Sequence, residues 1–166
     1  CDVQPTALAR IENDRILLHY DPLTLVEQFN LDSVIVATPN ETHYDLGTMF
    51  LNKGVDVFLE KPIATTFDDA SSLVSTSVQV GKTLKSGFLL RFHPCIVDAG
   101  TQIRSGRIGA IQSIRYSKNV QRQGDESSHA LDSLAIHGID LAEFLLDGQT
   151  PLRISEVVGS RTSCAL

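Results

Sequence analysis

Over the first 90 residues, short β-branched apolar runs alternate with amphipathic stretches, and that alternation leaves few folds open. Residues 34–37, Val-Ile-Val-Ala, form a continuous apolar run ending at Thr38, Pro39 and Asn40, the pattern of a strand buried on both faces. Asn40 is placed to cap a helix that carries Leu46, Met49 and Phe50 on one face and stops near Gly54. Residues 55–59 read as a second apolar strand, ended by Glu60, Lys61 and Pro62. A helix over 67–80 stops at Gly81, and a third strand over 83–90 has Gly87 inside it. Strand, helix, strand, helix, strand at this spacing implies right-handed crossovers and an α/β fold: a parallel sheet with helices on both faces.

Upstream, Ala7, Leu8 and Ile11 predict a short helix within 6–13, residues 23–29 another, and Cys1 and Asp2 the end of an earlier strand. Chain character changes near Phe92, which predicts a first domain over 1–92 and the start of a second, α+β, over 93–166. In that second part, His93 and Pro94 open a helix to about Ser105, stopped by Gly106. A long strand over 111–120, a polar loop over 121–128, a helix over 129–146 and a strand over 154–159 complete the reading.

Charge and composition exclude several classes of partner. The net charge is −6 and Lys and Arg are scattered, so neither nucleic acid nor an anionic membrane is an expected partner. No apolar run approaches the roughly 18 residues of a membrane span. The start, Cys1-Asp2-Val3-Gln4, has neither an initiator Met nor a secretion-signal pattern, so a piece of a longer chain is expected. Cys1, Cys95 and Cys164 are far apart and odd in number, and Asp, His and Cys never cluster at ligand spacing. No metal site is expected, and the reducing cytoplasm is the simplest compartment.

Ligands of open parallel sheets bind outside the carboxyl ends of the strands. Two loops are expected there: Thr38, Pro39 and Asn40 after one strand, Glu60, Lys61 and Pro62 after the next. A Lys held at that edge by a rigid Pro suits contact with a cofactor ribose or a substrate oxygen. Alone, Glu60 and Lys61 read equally well as a solvated charge pair. Asp2 is positioned like the carboxylate that accepts hydrogen bonds from an adenosine ribose 2′-hydroxyl, and its charge would repel a 2′-phosphate, which favours NAD over NADP. The glycine-rich phosphate turn would lie about 20 residues before it, outside this stretch. On the helix near residue 137, Ser133, His137 and Asp140 stand at i, i+4 and i+7 on one face. An imidazole there can take a proton from a substrate hydroxyl. A lone helical His is more often incidental, and Ile136, Ile139, Leu141, Phe144 and Leu145 read as core.

Taken together, VIVATPNETH (34–43), FLEKPIATT (58–66), GFLLRFHP (87–94), SGRIGAIQSI (105–114) and IHGIDLAEFLLDG (136–148) resemble the glucose–fructose oxidoreductase / inositol dehydrogenase (Gfo/Idh/MocA) family, in its order and spacing. The resemblance implies a partial Rossmann domain followed by a partial α+β domain with an open, mostly antiparallel sheet that supports substrate binding and homo-oligomer contacts. It implies hydride transfer between NAD or NADP and a secondary alcohol carbon of a sugar, polyol or nucleotide sugar. Lys61 then resembles the active-site lysine, with a cis bond to Pro62, and Thr38, Pro39, Asn40 and His43 the loop lining the nicotinamide and its ribose, with Glu60 close by. Arg91 resembles the residue at the domain junction, on the substrate side. His137 resembles the proton-transfer histidine and Asp140 a substrate-hydroxyl contact, and Lys61 and His137 are expected to meet at one cleft.

One departure bears on activity. The family usually has an Asp one turn before its histidine, where this chain has Ser133, and Asp132 is about 100° round the helix from that position. A serine hydroxyl can hydrogen-bond but takes up no proton near neutral pH. That substitution is the feature favouring the alternative, a non-catalytic relative acting as a cofactor or sugar sensor or as a partner subunit.

Overall fold

The computed structural model describes residues 1–11, 13, 15–118, 135–147, 158–160 and 163–165. The chain divides into two compact units, Cys1–Gly87 and Phe88–Leu166. Residues 88–92, which the sequence reading attached to the first domain, belong to the second unit.

In the first unit, helices α1 (Pro5–Leu8) and α2 (Pro22–Gln28) precede β1 (Ser33–Val36), α3 (His43–Asn52), β2 (Asp56–Leu59), α4 (Phe67–Val80) and β3 (Leu84–Ser86). Both α1 and α2 begin with Pro, whose missing N–H costs nothing in a first turn. Asp21 caps α2: its carboxylate accepts from the N–H groups of Leu23 and Thr24 and from the Thr24 hydroxyl. Those bonds, the Thr24 hydroxyl first, hold its carboxyl below its usual range. The helix expected over 6–13 ends early, at Leu8. The helix α4 has the bounds its sequence predicts. Thr66 caps it by accepting from the Asp69 N–H at 3.1 Å, Asp68 and Asp69 complement its amino-terminal dipole, and Gly81 ends it in the left-handed region, φ 65°.

The three strands are parallel in the order β1-β2-β3, with Val34 opposite Val57, Val36 opposite Leu59, and Leu59 opposite Ser86. Right-handed crossovers between strands added in one direction must all lie on one face of the sheet. Accordingly Phe50 and Leu51 of α3 and Leu73 of α4 pack in one core with Val36, Val55, Val57 and Leu59. Ile35 points the opposite way and is 76% exposed, so β1 is not covered on both faces among the described residues. The third strand is shorter than the expected 83–90. It ends at Ser86, and a 3-10 helix, Leu89–Phe92, follows where the strand was expected to continue.

In the second unit that 3-10 helix leads through His93, whose Nδ1 accepts from the Cys95 N–H at 3.3 Å, into α5 (Pro94–Arg104). The 3-10 helix and α5 pack with α6 (Ile136–Leu146). Residues 111–118 belong to no sheet ladder, which corrects the long strand expected from 111; nothing among the described residues pairs with them. Val158–Ser160 (β4) and Ser163–Ala165 (β5) form an antiparallel pair. The loop expected over 121–128, the helix start over 129–134 and the strand start over 154–157 lie outside the described residues.

The tightest point of the first core is Gly47, on the face of α3 toward the sheet. A Cβ there would lie 2.9 Å from Leu73 Cδ2 and 3.1 Å from Leu59 Cδ1, and both leucines are fully buried. Gly47→Val should destabilise the protein by about 1–3 kcal/mol, as overpacking of close-packed interiors does, read as a lower urea midpoint.

Candidate active site

Backbone bonds first bring the loops after β1 and β2 together at the carboxyl edge of the sheet. The Glu60 N–H donates to the Val36 carbonyl at 2.9 Å, and the Gly87 N–H to the Leu59 carbonyl at 2.8 Å. The first loop is stiffened by a relay of hydroxyls. Thr42 donates its only hydroxyl proton to the Pro39 carbonyl at 2.8 Å, so the 2.6 Å contact between the Thr38 and Thr42 hydroxyls must have Thr38 as donor. Thr38 is exposed, and its oxygen keeps lone pairs with which to accept. Asn40 begins a single 3-10 turn, Asn40–Thr42, and its side chain caps nothing; Thr42, not Asn40, precedes α3.

In the second loop the Lys61-Pro62 peptide bond is cis. Glu60 turns its carboxylate back on the sheet edge. One oxygen accepts from the Lys61 N–H at 3.2 Å, and a Cβ at position 87 would meet that carboxylate at 3.1 Å. Gly87 is thus the residue that lets Glu60 lie against β3. Lys61 is half-buried.

His43 is not at the rim. It is fully buried, with Nδ1 2.7 Å from the Pro62 carbonyl oxygen and Nε2 2.9 Å from that of Thr38. Its signal in the sequence was faint: a histidine in the first turn of a helix otherwise read for its apolar face. Asp2, by contrast, is exposed, and its carboxylate accepts from the Gln4 N–H at 2.8 Å.

In the second unit, Asp140 is buried, 7% exposed, and both its oxygens accept from the Arg91 guanidinium. The guanidinium carbon also stands 5.8 Å from the Phe88 ring centroid and 5.5 Å from that of Phe144, within cation–π range. His137, one turn back on α6, lies edge-on to Phe88 with centroids 6.4 Å apart. Gly138 beside it accommodates Tyr116, whose Cδ1 would be 2.6 Å from a Cβ, and burial pushes the Tyr116 hydroxyl pKa up. Ser133 lies outside the described residues.

A Rossmann-type parallel sheet with a polar rim at its carboxyl edge defines a dinucleotide-binding class. The family model of the "Oxidoreductase family, NAD-binding Rossmann fold" (Gfo/Idh/MocA) matches residues 5–88, and the chain belongs to that family. It is 31% identical over 144 residues to inositol 2-dehydrogenase 2 of Saccharopolyspora erythraea, covering 84% of this chain and 42% of that protein. It is 29% identical over 136 residues to the scyllo-inositol 2-dehydrogenase (NAD(+)) of Bacillus subtilis, covering 78% and 39%. Among solved structures, an inositol dehydrogenase homologue from Azotobacter vinelandii, complexed with NADH and myo-inositol, superposes with a TM-score of 0.66 at 25% identity, covering 78% of this chain and 38% of that chain. The chain thus spans about two fifths of the length of these curated relatives.

The Arg91–Asp140 pair carries a stability prediction. Bonding to Asp140 is the main cause that holds the Arg91 pKa above its ordinary value, with burial opposing it. A raised basic pKa contributes stability wherever the unfolded arginine is charged, and that contribution is lost only as pH rises through the raised value. The pair should therefore stabilise evenly across neutral pH. Arg91→Met, which leaves a buried carboxylate without its partner, should cost about 2–3 kcal/mol, less than a fully buried pair because the arginine is partly exposed. Adding Asp140→Leu should recover part of that loss in urea unfolding.

Proposed function

We propose that the full-length protein transfers a hydride between a nicotinamide cofactor and a secondary alcohol carbon of a polyol, a cyclitol being the first substrate to try. The observation that carries this reading is the turn at Glu60, Lys61 and Pro62, on the carboxyl edge of a family Rossmann sheet. Inositol 2-dehydrogenases among the relatives support the substrate class.

The residues at this edge fit a nicotinamide riboside. Thr38 offers an acceptor, the Asn40 amide both donors and an acceptor, and Lys61 a cation. The bound nicotinamide supplies the two-electron redox chemistry. Lys61 donates to the substrate oxygen and stabilises the negative charge that develops there. Glu60, held back over Gly87, sets the course of the chain at Lys61. His137 accepts the hydroxyl proton, a role open to an imidazole. Arg91 and Asp140, bonded to each other, fix the helix carrying His137 and so support the substrate site rather than entering the chemistry. Asp2 favours NAD over NADP by accepting from the ribose 2′-hydroxyl and repelling a 2′-phosphate.

Reduced-nicotinamide absorbance with a panel of cyclitols and sugars tests the reading on the full-length protein. Turnover should be faster with NAD than with NADP. Lys61→Ala and His137→Ala should each lower kcat by about a hundredfold or more. NADH binding with no turnover on any member of the panel would instead support a sensor, the reading to which Ser133 points.

A further inference from the structure

Gly87 is buried although it stands just past the end of β3, and what lies over it is the carboxylate of Glu60. Its backbone makes no demand for glycine, since its φ lies outside the left-handed region. Its N–H bonds the Leu59 carbonyl at 2.8 Å, as the N–H of any residue but proline could. The demand is for space. A Cβ at 87 would stand 3.1 Å from Glu60 Cδ, 3.1 Å from Oε2 and 3.2 Å from Oε1, and these are the three heavy atoms nearest to it. All three belong to the far end of one flexible side chain, so the fold can yield here, whereas a Cβ at Gly47 meets two fully buried leucines. What yields at 87 is the carboxylate, and the same Oε2 accepts from the Lys61 N–H at 3.2 Å, already at the long end of such bonds.

We propose that Gly87 is a positioning residue: its missing side chain is a seat for the Glu60 carboxylate, and the seated carboxylate sets the Lys61 peptide at the rim. This assigns the glycine to the site rather than to the fold. A methyl group at 87 costs the fold little, because a glutamate end swings aside easily, but the carboxylate that swings aside no longer receives the Lys61 N–H where it did. Catalysis is sensitive to such displacement, since a misplacement of about 1 Å can cost about a hundredfold in rate.

The functional part of this proposal rests on the dehydrogenase reading; the seat itself does not, and two measurements keep them apart. Both compare Gly87→Ala, Glu60→Ala and the double variant with wild type in the full-length protein. By circular dichroism Gly87→Ala should melt within about 3 °C of wild type. In 15N-labelled protein its Lys61 amide should exchange with solvent about fivefold faster, as it should in Glu60→Ala, for the loss of one hydrogen bond. An exchange rate equal to that of wild type overturns the seat, whether or not the protein turns over any substrate. In the second measurement, Gly87→Ala should weaken NADH affinity, read by fluorescence, about threefold and lower kcat per folded molecule about tenfold. The double variant should match Glu60→Ala in both, because the added methyl no longer meets the group it displaces. Losses that add, or a lowered melting temperature with kcat per folded molecule unchanged, overturn the positioning role. Wild-type protein that binds no NADH overturns the dehydrogenase reading and the positioning role with it, and the exchange rates then still decide the seat.

Discussion

The burial of Leu51, Leu59 and Leu73 where α3, β2 and α4 meet fixes everything else in the first unit. All three are withdrawn from water, and full burial of such a side chain contributes about 1.5–3 kcal/mol. Gly47 is what allows the approach, because any side chain there would stand between the helix and both leucines. With β2 anchored in this way, its carboxyl end is a rigid point, and Glu60 and Lys61 leave the sheet from it. The position of Lys61 is thus a product of core packing several residues away. A loop lysine on a less constrained strand would carry the same charge without a defined direction.

Polar burial then does in each unit what apolar packing cannot. Leucine contacts are non-directional and leave the loops beyond the core free to slide. Directional bonds remove that freedom: His43 joins two loops in the first unit, and Asp140 receives Arg91 in the second. In both cases a chemically versatile side chain is withdrawn from solvent and directed at protein partners. The more reactive-looking residue of a motif is therefore not always the one that meets a ligand. Burial decides between the two roles, and residue type does not.

That distinction explains which parts of the molecule were legible in the sequence. The strand cores over 34–36 and 56–59 and the helix over 67–80 follow from apolar periodicity and from Thr66 and Gly81, which are local signals. The cis bond at Pro62 came through the family resemblance. The strand ends did not follow: residues 87–90 are as apolar as a strand, yet β3 stops where its pairing with β2 stops, at Ser86. Likewise residues 111–118 alternate as a strand would, yet nothing among the described residues pairs with them. Pairing is a non-local property, and periodicity cannot report it. The inward turn of His43 and the union of Arg91 with Asp140 are non-local for the same reason, since the latter pair stands 49 residues apart in the chain.

The family match ends at residue 88, almost where the first compact unit closes at Gly87. The matching family model describes an NAD-binding Rossmann fold, so it closes where that fold does. The carboxyl edge of a parallel sheet presents the same backbone geometry whatever the substrate. One fold can host many chemistries through changes in the side chains placed at such an edge. Thr38, Asn40, Glu60 and Lys61 all lie inside the matched stretch and carry the family assignment, while His137 lies beyond it.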